Sequence, residues 1–332
     1  MPGAQNRRAD LVSGLRARHR ARSEGPTPVP DPPKALGVKA HDFADLPQLA
    51  EFRMMEAALQ RFDLANPFFR SHRGKPQPEQ EVEGRPVINF ASYNYLGLNG
   101  DPRVTEAART AITEWGVSPA ASRVVGGERP YHRELEQALA ASHGAEDAIV
   151  LVSGHATNVN AIATLMGEDD LVVLDALSHN SIIQGVKLSG AARVNFPHND
   201  YDWLERHLAR NRHRYRRVLI SVEGLYSMDG DSPDLARLIE IKARHKAWLM
   251  VDEAHSFGVL GATGKGLAEA QGIDPGAVEM WMGTLSKTLG ACGGYIAGPT
   301  ALIAFLKMMA PGFVYSVGLS APLAATAITA LE

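Results

Sequence analysis

Residues 217–256 read RVLISVEGLYSMDGDSPDLARLIEIKARHKAWLMVDEAHS. The stretch opens on an unbroken apolar run, RVLISV (217–222), and closes on another, AWLMVD (247–252). Between them, DLARLIEIKARH (234–245) spaces its apolar residues as a helix does. Short apolar runs without polar alternation suit strands buried on both faces, as parallel strands are when helices cover each side of the sheet. The same pattern repeats outward. AIVLV (148–152), LVVLD (171–175), MWMG (280–283) and GYIAG (294–298) read as further strands, and RELEQALAASHG (133–144) as a further helix. This predicts an α/β fold with a mostly parallel central sheet flanked by helices. Several strands end on polar or small residues, at Asp175, Glu223, Asp252 and Gly283. Ligands of open α/β sheets bind at the carboxyl ends of strands, so chemistry is expected there.

At 332 residues, the chain has room for two domains or one large one with appendages. Its 34 basic and 37 acidic residues leave no basic field for nucleic acid. Hydrophobic residues make up 45% and charged residues 21%, a balance that supports a sizeable core. No apolar run approaches about 18 residues, so no membrane span is expected, and a cytoplasmic location is compatible with the composition. The single cysteine, Cys292, excludes a disulfide framework and a cysteine-cluster metal site, and reads as a small buried residue rather than a nucleophile. No metal is expected.

The chain divides by composition. Residues 1–40 are rich in arginine and then proline, and read as a flexible arm with an Arg-rich, acid-poor start like that of an organellar transit peptide. Residues 41–90 form an N-terminal segment, 91–318 a large domain, and 319–332 the start of a C-terminal domain that stops in mid-helix at SAPLAATAITALE (320–332). GATGKG (261–266) imitates a phosphate loop, but Val259 stands where the first glycine belongs. His198, in PHND (197–200), reads as structural.

Three segments carry chemistry together: VSGHATN (152–158), MVDEAHS (250–256) and GTLSKTLGACGGY (283–295). Each follows or closes a strand-like run, so each can face one crevice. A lysine amid Ser, Thr and Gly, as at Lys287, can have a lowered pKa and form a Schiff base with a carbonyl. An aspartate at a strand end, as at Asp252, can pair with a protonated pyridine nitrogen, worth around 4 kcal/mol at about 4 Å and an effective dielectric of about 20, before desolvation. Backbone N–H groups at the Gly154 turn suit a phosphate.

With EGLYSMDGD (223–231), LDALSHNSI (174–182) and ASYNYLGL (91–98), these motifs resemble the α-oxoamine synthases, in the same order from about residue 65 onward. These are pyridoxal 5'-phosphate (PLP) enzymes of fold type I, the aspartate aminotransferase-like fold. DEAHS and YNYLG are most similar to the serine palmitoyltransferase-like members, and 8-amino-7-oxononanoate synthases share the family. The resemblance implies that Lys287 holds PLP as an imine and then acts as the base at the α-carbon. It implies that Asp252 pairs with the pyridine nitrogen, His255 bonds the ring's phenolic oxygen and His179 stacks on the ring. Gly154 and His155 would contact the phosphate through their backbone, Thr284 through its hydroxyl. Ser227 would lie beside the cofactor and Asn94 near the acyl thioester. Glu223 would buttress the site. Ser316, in FVYSVGL (313–319), would reach the phosphate of a neighbouring subunit, which implies a homodimer with shared active sites.

The implied reaction is decarboxylative condensation of an amino acid with an acyl thioester, on coenzyme A or a carrier protein, giving an α-amino ketone. Two alternatives stand beside it: a glycine-using reaction like that of 2-amino-3-ketobutyrate CoA ligase, and an inactive PLP-binding chain serving as a dimer partner or scaffold. The sequence departs from the family at His155, where an aromatic residue is usual, and its end is expected to stop short of the family's small C-terminal domain with its carboxylate-binding arginine.

Overall fold

A computed structural model describes residues 42–332. The expected arm and transit-like start at residues 1–40 lie outside them. The chain separates into two compact units that meet in sequence between Arg70 and Ser71. In the first, a turn at Phe43–Asp45 leads into helix α1 (Pro47–Arg61), whose first residue is a proline, tolerated where no intrahelical donor is needed.

The second unit opens with a small antiparallel sheet of β1 (His72–Arg73), β2 (Glu79–Val82) and β3 (Arg85–Ile88). Its β2–β3 hairpin turns through Glu83 and Gly84, both left-handed at φ 52° and 79°, the backbone that matches strand twist in two-residue turns. Helices α2 (Pro102–Trp115) and α3 (Pro130–Ser142) follow. Then comes the alternating region: β4 (Asp147–Leu151), α4 (Gly154–Leu165), β5 (Leu171–Asp175), α5 (Asn180–Ser189), β6 (Ala192–Phe196), α6 (Tyr201–Asn211) and β7 (Val218–Glu223). It continues through α7 (Leu235–His245), β8 (Trp248–Asp252), α8 (Leu267–Gln271), β9 (Met280–Thr284) and β10 (Gly294–Gly298) to α9 (Thr300–Met309), α10 (Pro311–Val314) and α11 (Ala321–Leu331).

Seven strands form one sheet in the order β4-β10-β9-β8-β7-β5-β6. The neighbours from β9 to β6 are parallel, and β10 runs against both β9 and β4. The reversal follows from chain length. Residues 285–293 between β9 and β10 are too few for a crossover, which takes about a dozen residues or more. All six expected strands are present within a residue of their expected ends. The sequence reading passed over β6, an edge strand whose Ala192, Arg193, Val194 and Asn195 remain partly or fully exposed, so no apolar run marks it.

Alternate residues along the inner strands enter two separate cores. Leu171, Val173, Ile220, Leu249 and Val251 pack on one face with Leu135, Leu204 and Leu238 of the helices. Val172, Leu174, Leu219 and Met250 pack on the other with Ile162, Ile182 and Ile303. Such double burial is why the strand sequences read as continuous apolar runs. Cys292 overturns its expected burial: it is exposed in the β9–β10 loop, where Leu285, Leu289 and Ala291 take the inward positions. Among the described residues, no helix is long and apolar enough to cross a membrane.

Leu219 has no exposed surface, so Leu219→Ala is expected to cost about 2–5 kcal/mol in urea denaturation, the transfer term plus a cavity. Leu188 is 70% exposed, and Leu188→Ala is expected to stay within about 0.5 kcal/mol of the parent.

Candidate active site

The carboxyl ends of β4, β5, β7, β8 and β9 share one edge of the sheet, with Glu223 directly opposite Asp252 in the β7–β8 register. A cavity of about 640 Å³ opens there. Its wall brings together Gly154, His155, His179, Ser227, Asp252, His255, Thr284 and Lys287, eight of the residues singled out in the sequence. Ser153, Asn158, Ser181, Glu223, Ser286, Phe90, Tyr93, Tyr95 and Met228 complete much of the remainder.

Helix α4 begins at the cavity. Ser153 caps it through a bond from the Ala156 N–H, leaving the opening N–H groups at the wall. Gly154 must lack a side chain, since a Cβ would stand 2.7 Å from Thr284 Oγ1. Thr284 Oγ1 donates to the Gly293 carbonyl at 3.0 Å and accepts from the Ser286 N–H at 3.2 Å. A helix start with hydroxyls around it is a ready site for an anion.

Asp252 is buried at the end of β8, where its oxygens accept from Asn158 Nδ2 at 2.8 Å and the Ala254 N–H at 3.0 Å. Asn158 Nδ2 also donates to Ser181 Oγ at 2.9 Å, while Asn158 Oδ1 is buried without a partner among the described residues. Ser181 in turn stands 2.7 Å from His179 Nδ1. Burial, outweighing the attraction of Asp252, lowers the His179 pKa.

Lys287 Nζ lies 2.7 Å from His255 Nε2, and His255 Nδ1 lies 2.9 Å from the Tyr95 hydroxyl. Burial, then the charge of Lys287, drives the His255 pKa down to about 4, so the ring is neutral at neutral pH. A neutral ring with Lys287 donating to Nε2 carries its proton on Nδ1 and donates it to Tyr95. Burial also lowers the Lys287 pKa, against the opposing pull of Asp252 and Glu223. The ammonium sits 5.5 Å from the centre of the Tyr93 ring. Burial, aided by the charge of Asp252, raises the Glu223 carboxyl to about 8, so it is protonated at neutral pH.

Two sequence candidates stand elsewhere. Asn94 donates to the Pro76 carbonyl at 2.7 Å and accepts from the Asn99 N–H at 3.0 Å, so both ends of its amide hold the loop that presents Tyr93 and Tyr95. Ser316 is outside the cavity, on a segment tied down by the Gly318 N–H bond to the Ala121 carbonyl at 3.1 Å. Asn158 and Tyr95 had not been singled out. Asn158 is legible in retrospect, one helical turn beyond Gly154 on the same face. Nothing local in the sequence pairs Tyr95 with His255, 160 positions away.

The residues fit PLP. A lysine of lowered pKa suits its aldehyde, a helix start and hydroxyls its phosphate, and a buried carboxylate its ring nitrogen. The orphaned Asn158 oxygen also marks a polar wall built for an occupant.

Replacing Glu223 by Gln tests the buried acid. A carboxyl whose folded pKa is raised from 4.5 to about 8 favours the folded state fully below its unfolded pKa, an advantage lost as pH rises to about 8. In cofactor-free protein, Glu223→Gln is therefore expected to raise Tm over the parent progressively from pH 5 to about 8, with little difference at pH 5.

Known proteins share much of this chain's sequence and fold. The family described as aminotransferase class I and II matches residues 85–332. A Gloeobacter violaceus protein provisionally named 8-amino-7-oxononanoate synthase is 45% identical over 263 residues, 79% of this chain and 67% of that protein. The 8-amino-7-oxononanoate synthase of Fervidobacterium nodosum is 46% identical over 242 residues, 72% of this chain and 61% of that enzyme. Serine palmitoyltransferase from S. paucimobilis with PLP and myriocin bound superposes with a TM-score of 0.82 at 31% identity, covering 87% of this chain and 72% of that one. The chain thus spans about two thirds of the length of the curated relatives it matches. It belongs to the class I and II aminotransferase family, within the PLP-dependent α-oxoamine synthases of fold type I.

Proposed function

We propose that this chain condenses an amino acid with an acyl thioester to give an α-amino ketone. A carbon–carbon bond forms between the α-carbon and the acyl carbon. The carbon–sulfur bond breaks to release the thiol, the α-carboxylate leaves as CO2, and the α-carbon regains a proton. The observation that carries the reading is the pairing, across one cavity, of a lysine of lowered pKa with a buried aspartate at a strand end. The names of the relatives support it. One joins serine to a palmitoyl group, and 8-amino-7-oxononanoate carries its amine and ketone on adjacent carbons.

PLP, when bound, supplies the electron sink that makes the α-carbon acidic. The chain's residues do the rest. Lys287 would hold the cofactor, and its lowered pKa suits it to take or return the α-proton. His255, neutral and anchored by Tyr95, accepts a hydrogen bond from Lys287 and keeps its nitrogen directed into the cavity. Asp252, fixed by Asn158 and the Ala254 N–H, would pair with the ring nitrogen and keep it protonated. Gly154, His155 and Thr284 would hold the phosphate, His179 would bound the ring, and Ser227 lines the cavity. Exposed Phe90, Tyr93 and Met228 in its wall suit an apolar acyl chain. Ser316, outside this cavity, completes the site of a second copy in a homodimer.

Borohydride reduction of the protein with PLP, followed by peptide mapping, is expected to place a pyridoxyl group on Lys287. Lys287→Ala should lose the adduct and keep its fold, and an adduct retained in that variant would overturn the assignment. Mixing Lys287→Ala with Ser316→Ala subunits is expected to recover part of the parent's thiol-releasing activity, because some dimers then regain one site with both residues intact. No recovery from folded, exchanging subunits would remove the shared-site reading.

A further inference from the structure

The loop after β7, residues 224–231, carries Ser227 and Met228 into the cavity wall. It is closed by the Tyr226 N–H bond to the Asp231 carbonyl at 2.9 Å and the Gly230 N–H bond to the Tyr226 carbonyl at 2.8 Å. Its far end is held from outside by PHND (197–200). Asp231 Oδ2 lies 2.8 Å from His198 Nε2 and accepts from Asn199 Nδ2 at 2.9 Å. On the opposite side of the same ring, His198 Nδ1 lies 2.9 Å from Asp175 Oδ1. Asp175 ends β5 with no exposed surface, and also accepts from the Leu177 and Asn199 N–H groups.

A carboxylate can only accept. Both ring contacts are hydrogen bonds to ionised carboxylates only when both nitrogens carry protons, which favours an imidazolium, although Asn199 Nδ2, 3.2 Å from His198 Nε2, offers that nitrogen a donor. We propose that protonated His198 is a positioning residue: it latches the 224–231 loop to the end of β5 and thereby holds Ser227 and Met228 at the cavity. When the ring loses one proton, the remaining N–H stays with Asp175, which has no water to turn to. Asp231, its side chain 45% exposed, is the partner that lets go.

The surroundings agree with a cation. Asp175 faces the ring from β5, and Asp231 and Tyr226 face it from the loop, with the Tyr226 ring edge-on at 4.6 Å. Asp229 brings a carboxylate oxygen within 4.8 Å. From α6, the Tyr201 hydroxyl donates to Asn199 Oδ1 and accepts from the Asp234 N–H, which braces the asparagine beside the ring. Burial lowers the His198 pKa, but the bonds and charges of Asp175 and Asp231 outweigh it and the net shift is upward. A raised histidine gives its full contribution below the ordinary value of about 6.5 and loses it as pH rises through the raised one. The latch is therefore closed in mild acid and opens toward alkaline pH.

Hydrogen–deuterium exchange on the full chain tests this without reference to the reaction proposed above. After correction for intrinsic exchange, opening of the 224–231 peptide in the parent is expected to increase about tenfold from pH 6 to 9, the scale of one charge-assisted bond. His198→Gln should be open already at pH 6 and show no pH dependence, with β7 and β8 protected as in the parent. Asp231→Asn should move the midpoint to lower pH. A parent profile independent of pH, or parent-like protection in His198→Gln at pH 6, would overturn the latch. If His198→Gln fails to fold, the parent profile and the Asp231→Asn midpoint decide.

Discussion

Three carboxyl groups are buried on the same edge of the sheet, at the ends of β5, β7 and β8, and each must be stabilised away from water. An isolated buried charge costs several kcal/mol. The molecule answers in three ways. Asp252 is given amide and backbone donors, Glu223 keeps its proton, and Asp175 is matched by an imidazole and backbone N–H groups. The answers are coupled, since Glu223 and Asp252 are register partners on adjacent strands and two charges there would repel. The loops, helix starts and side chains around the cavity are arranged about this edge.

The sheet was legible because its strands are buried on both sides, so β5 and β7 announce themselves as LVVLD and VLISVE. Where burial is one-sided or absent, the signal fades, as at β6 and in the three short strands between residues 72 and 88. The direction of β10 was not read from its composition. It is set by the brevity of the loop before it. Cys292 was misjudged because cysteine is usually a small buried residue, but a tight loop between antiparallel strands turns some of its residues outward.

The cavity residues were legible as a set because each sits just beyond a strand. Topology then brings segments far apart in sequence to one edge. What escaped were the partners of those residues. Asn158 supports Asp252, and Tyr95 supports His255, through contacts that exist only after folding. Asn94 shows the converse. A polar side chain in a suggestive motif is taken up by Pro76 and Asn99, and its two tyrosine neighbours face the cavity instead.

The placement of β4 bears on how the polypeptide comes into being. Among the described residues it is an edge strand with β10 as its one neighbour, and Val150 pairs with Tyr295, 145 positions later. A ribosome adding about 5–20 residues per second finishes that partner roughly 7–30 s after it finishes β4. Through that interval the nascent strand has a free edge, and Ile149 and Leu151 lack Ile296 beside them. Until β10 emerges, that unpaired edge is a template for wrong pairing, and the order of synthesis leaves it open longest of the strands on this side of the sheet.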